Sequence, residues 1–122
     1  MSDPVEDGAR AAAQRLMPQH GQSLAVDVEA ALYTRGAETR REQFIDPVSL
    51  GSLIVSVATL SWTIYQDRKA RGAAPPTEVI VRAVRIELDD AGQLKPTEHE
   101  QLIETTVEET TEAARRQENG QT

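Results

Sequence analysis

The chain contains no cysteine. That excludes disulfides, thiolate metal sites and cysteine nucleophiles together. Aromatic residues are nearly as scarce: Tyr33, Phe44, Trp62 and Tyr65 are the whole set. A core built with so few of them must come from Val, Leu, Ile and Ala, and such a composition favours packed helices over sandwiches or barrels. The only histidines, His20 and His99, lie far apart in sequence, and neither has a nucleophile or carboxylate beside it in a local motif. Two histidines so separated make a poor metal site without further ligands. A glycine-rich phosphate loop is missing, and Asp89–Asp90 ahead of Gly92 lacks the acidic spacing of a calcium loop, so that it reads as a turn. The sequence therefore offers no catalytic, cofactor-binding or metal-ligating residue, and the expectation is a protein that is not an enzyme and carries no cofactor. No signal peptide is read at the N-terminus, where Asp3, Glu6 and Asp7 precede any apolar run.

An excess of basic residues is also lacking. The net charge is −7, from 13 Lys and Arg against 20 Asp and Glu. Residues 1–86 hold ten of each sign, so the whole imbalance sits in residues 87–122, where ten acids face Lys95, Arg115 and Arg116. An acidic C-terminal third repels phosphate backbones, and nucleic acid is excluded as an expected partner.

What is present is a succession of helical signals. Asp3, Pro4 and Glu6 form a start signal, with Asp3 as the N-cap, Pro4 at the first helical position and Glu6 placed for a capping box. Val5, Ala9, Ala12 and Leu16 then share one face, with Pro18 and Gly21 as the expected stop. That face is weak, so a loosely docked helix is expected. Ser23 is placed to cap a second helix from Leu24 to about Arg35, ended by Gly36, with Leu24, Val28, Ala31 and Leu32 on one side. Residues 37–43 form a charged connector.

From Pro47 to Tyr65 there is no charged residue. Asp46 and Pro47 form its natural start, and Asp67, Arg68 and Lys69 mark its end. Nineteen helical residues span roughly 28 Å, close to the hydrocarbon thickness of a bilayer. A linker follows at 70–77, then an apolar run at 78–88. Strict alternation fails in that run, whereas on a helix Arg82 and Arg85 fall together and Glu78 can pair with Arg82, so helix is favoured over strand. Pro96, Thr97 and Glu100 predict a sharp start to a last helix running to about Arg116. The fold class expected is all-α: a small helical protein with one central hydrophobic, potentially transmembrane helix and a C-terminal helical hairpin. Its segments are 1–43, 44–69, 70–77 and 78–122.

Three features are candidates for function. Within the apolar segment, Ser49, Ser52, Ser56, Thr59 and Thr63 recur at spacings of three and four, a heptad seam of small hydroxyl side chains flanked by Gly51 and Ala58. In a membrane such a seam lets helices approach and hydrogen-bond. In water the same helix would be the centre of a bundle. Phe44, Trp62 and Tyr65 near its ends suit either a membrane interface or a core. Glu100, Glu104, Glu108 and Glu112 stand at four-residue spacing, an acidic ridge that reads as a solvated face or as the dock for a basic partner. The opposite side, with Leu102, Ile103, Thr106, Val107, Thr110, Ala113 and Ala114, is amphipathic enough to pack on residues 79–88.

The run from Gln43 through Asp46-Pro47, the apolar stretch to Leu60, Trp62 and Tyr65, and on to Asp67 resembles a group of short, uncharacterised bacterial proteins, mostly actinobacterial. They share an aspartate–proline start, an apolar helix, an aromatic exit and a basic stop, and the resemblance covers about residues 43–112. It carries no activity and no catalytic residues. Some proteins of this look resemble accessory components encoded beside bacterial defence effectors such as proteases and nucleotide-sensing ATPases, which implies an adaptor or membrane-acting component. Three readings follow. The first is a non-enzymatic, single-pass, membrane-associated adaptor (inner membrane) that oligomerises through the hydroxyl seam and binds a protein partner through its C-terminal part. The second is a soluble, cytoplasmic helical interaction module whose apolar helix is buried in a bundle or complex. The third is a membrane-permeabilising effector.

Overall fold

In the computed structural model, residues 3–37, 50–72, 74–91 and 96–118 are described. Asp3 lies in extended backbone and its Oδ1 accepts the Val5 amide at 2.8 Å, which sets the start of α1 at Pro4. The elements run α1 (Pro4–His20), α2 (Ser23–Ala37), α3 (Leu50–Ala70), α4 (Thr77–Ala91), a 3₁₀ turn (Pro96–His99) and α5 (Glu100–Glu118). The all-α expectation holds across the described residues, and buried side chains from all five helices form one hydrophobic core.

Pro18 does not stop α1; it lies inside the helix, which continues to His20. The stop is Gly21, whose φ of 95° is open to glycine alone at low cost and whose amide donates to the Met17 carbonyl at 2.8 Å. Nor is α1 loosely docked. Val5, Ala9 and Ala12 are fully buried, Leu16 nearly so, and the helix packs on α5, α2 and α3. Small side chains look weak in a hydrophobicity pattern but permit close backbone approach. At Gly8 a Cβ would lie 2.5 Å from Thr110 Cα, and at Gly51 the same distance from the Asp27 carbonyl carbon, so only glycine allows α1 to meet α5 and α3 to meet α2 there.

The apolar helix α3 is the central rod of the bundle, touching α1, α2, α4 and α5. Leu53, Ile54, Val55, Val57, Ala58 and Tyr65 are buried within it. No described helix is long and apolar enough to cross a membrane. Ser52, Ser56, Thr59, Ser61 and Thr63 dilute the apolar run, and Asp67, Arg68 and Lys69 lie within the same helix. The expected start at Asp46–Pro47 lies outside the described residues.

Residues 77–91 are helical, as favoured: Ile80, Val84 and Leu88 bury one narrow stripe at four-residue spacing. Asp89 and Asp90 belong to the last turn of α4 and not to a loop. The last helix begins less sharply than its capping signal implies, because a 3₁₀ turn precedes Glu100. Its apolar face is buried as expected, but chiefly against α1 and α3, with α4 a lesser neighbour. The reason is room: three helices compete for α5, and the small side chains of α1 come closest.

Candidate functional site

The hydroxyl seam falls on the less buried side of α3. Ser52, Ser56 and Thr59 are half-buried, Thr63 is exposed, and Ser49 lies outside the described residues. Thr59 Oγ1 donates to the Val55 carbonyl at 2.8 Å within its own helix. The fully buried hydroxyl of α3 is Ser61, outside the seam, and it likewise donates to the carbonyl four residues back, at 2.7 Å. Gly51 and Ala58, read as flanks of the seam, are both buried in the chain's own core.

Trp62 and Tyr65 stack with centroids 6.2 Å apart and planes 12° from parallel. Tyr65 is 1% exposed and its hydroxyl donates to Glu118 Oε2 at 3.1 Å. Lys69 Nζ meets the same carboxylate oxygen at 2.6 Å, and Arg115 donates to the Pro75 carbonyl at 3.4 Å. Burial, reinforced by the Glu118 hydrogen bond, pushes the Tyr65 phenol above its ordinary value. The hydrogen bond from Lys69 holds the Glu118 carboxyl below its own. This cluster ties the ends of α3 and α5 to the α3–α4 connection; it is a clasp made of mutually satisfied groups. Phe44 lies outside the described residues.

The acidic ridge is exposed along α5, as its spacing implies. Glu100 accepts from Arg85 at 3.1 Å, and Glu108 accepts from Arg15 at 3.0 Å, with Glu109 sharing the same guanidinium nitrogen. Glu104 and Glu112 have no ion-pair or hydrogen-bond partner among the described residues, and the expected Glu78–Arg82 pair is not formed. Between α4 and α5 the surface opens into a groove of about 820 Å³, bounded on one side by Arg82, Ile86 and Asp89 and on the other by Glu104 and Glu108. Ile86 is 55% exposed in it. The ridge was visible in the sequence as a charge pattern. That Glu104 and Glu108 wall a groove was not, because the expected hairpin set residues 79–88 against the opposite, apolar face of the last helix.

His20 is exposed at the end of α1 and His99 is half-buried in the 3₁₀ turn. Among the described residues no group of three or more metal-ligating side chains comes together. Sequence reasoning set Thr106 and Thr110 on the packing face of the last helix without weighing their hydroxyls. Thr105, Thr106, Thr110 and Thr111 are all buried, and the hydroxyls of the last three have no hydrogen-bond partner among the described residues. No family model, curated protein or solved structure matches the chain.

Proposed function

We propose that the chain is a non-enzymatic helical interaction module, an adaptor that presents the α4–α5 surface to a protein partner. One observation carries this reading. The apolar face of α3 is covered by the chain's other helices, while an open, charge-lined groove with an exposed isoleucine is left on the α4–α5 side. Apolar surface buried in the chain's own core is spent on folding; surface left exposed beside unpaired carboxylates is free for recognition.

The competing reading takes α3 into a membrane, oligomerising through Ser52, Ser56, Thr59 and Thr63. It requires Leu53, Ile54, Val57 and Tyr65 to leave a core in which each is at most 3% exposed. Fractionation with an alkaline wash of the membranes separates the two. Release of a folded, monodisperse protein is expected, and retention in the washed membranes would overturn the module reading. Leu53→Asp and Val57→Asp should each unfold the protein, since an unpaired charge in the core costs several kcal/mol, about the whole stability of a small domain. Folded aspartate variants, judged by circular dichroism, would show that α3 is not core.

A further inference from the structure

The α4–α5 groove has a shape and a charge pattern that select among partners. Along α4, Glu78, Arg82, Ile86 and Asp89 recur at four, four and three residues, a stripe on the side away from the buried Ile80, Val84 and Leu88. Twelve residues of helix from Glu78 to Asp89 give a trough roughly 16 Å long, about three turns. The far wall is α5, with Glu104 and Glu108 one turn apart. Val81 is half-buried at the floor and Ile86 stands exposed above it.

The electrostatics are one-sided. Arg85 is already engaged by Glu100, and Arg15 by Glu108 and Glu109. What remains without an ion-pair partner among the described residues is Glu78, Asp89 and Glu104 against Arg82. The groove therefore carries three unpaired carboxylates, at both ends and along one wall, against the single guanidinium of Arg82, which lies between Glu78 and the apolar Val81 and Ile86. An elongated trough between two helices, open to solvent along its length, does not enclose a small molecule as ligand pockets do; it takes a helix laid into it.

Resting on the adaptor reading above, we propose that the groove binds a basic amphipathic helix of a partner protein. Its apolar residues, one turn apart, seat on Val81 and Ile86. Its lysines or arginines flank that strip and meet Glu104 on one side and Glu78 and Asp89 on the other. A second copy of this chain is a poor occupant, since the net charge of −7 is concentrated in residues 87–122, the part of the chain that contains α5.

The test is selection of binders to the full chain from a displayed library of random peptides of about sixteen residues, long enough for three to four helical turns. Selected peptides should be rich in Lys and Arg with apolar residues at three- and four-residue spacing. Titrated into the labelled protein, they should shift backbone resonances of α4 and α5. Ile86→Asp and Glu104→Lys, both at exposed positions that leave the fold intact by circular dichroism, should each weaken binding roughly tenfold or more. Affinity should also fall as salt rises. Selected peptides that are neutral or acidic, or that shift residues of another face, would overturn the groove while leaving the adaptor reading standing. A library that yields no binder to any face would overturn both. Concentration-dependent dimerisation lost in Ile86→Asp would overturn the proposal in favour of self-association.

Discussion

At the scale of single residues, Gly8, Gly51 and Tyr65 are held by close neighbours that set what a substitution does. Gly8→Ala gains helix propensity worth about 1 kcal/mol, but the new methyl meets the Thr110 backbone, which no rotamer change relieves. A clash with backbone falls at the upper end of the about 1–3 kcal/mol that overpacking costs, so a net loss of about 1–2 kcal/mol is expected, read as a fall in thermal midpoint of roughly 3–8 °C. Gly51→Ala meets the Asp27 backbone and should behave alike. An unchanged or raised midpoint would mean the helices do not approach as closely as described. Tyr65 sets a pH limit. Its pKa is raised above the ordinary 10.0 by burial first and by Glu118 second, so its contribution to stability is fully present below pH 10 and is lost as pH rises through the folded value. The alkaline unfolding midpoint should therefore move to higher pH in Tyr65→Phe, which has no proton to lose. If the two proteins unfold at the same pH, Tyr65 is not the group that limits stability in base.

At the scale of elements, what was legible in the sequence was whatever is written locally. The Asp3–Pro4 start, the Leu24–Val28–Leu32 face and the helical register of Ile80, Val84 and Leu88 are all patterns within a few turns, and each stands in the structure. Of the helix pairings only the contact of α4 with α5 was legible; the docking of α1 on α5 was not. Arg15 meets Glu108 across 93 positions, and no periodicity in either helix announces the other. The hydroxyl content of α5 was read as part of an apolar face, yet Thr106, Thr110 and Thr111 bury hydroxyls that find no acceptor or donor among the described residues. An unsatisfied buried hydroxyl costs about 1–3 kcal/mol, so Thr106→Val, which keeps the shape and removes the polar atom, should stabilise the protein by about 1 kcal/mol in chemical denaturation. A loss of stability instead would show that the hydroxyl is bonded in solution, to water or to the carbonyl one turn back.

At the scale of the whole molecule, the first and last helices close the bundle on each other. α1 packs most extensively on α5, and the Arg15–Glu108–Glu109 cluster and the Gly8–Thr110 contact lie in that interface. Removing residues 1–20 would strip the cover from the α5 face and from part of α3. A chain so shortened should lose the single sharp thermal transition and bind a dye for exposed apolar surface; a transition of unchanged midpoint would mean that α1 adds nothing to the core. The same closure has a consequence for the order of events during synthesis. α1 is made first, but its main docking face is made last, about eighty residues later. At roughly 5–20 residues per second the ribosome takes several seconds to reach α5. Through that interval the alanine face of α1, and α3 once it is made, lie uncovered by their final neighbour, and the bundle closes only once α5 has emerged. A nascent chain in this state is the form on which holding chaperones would act.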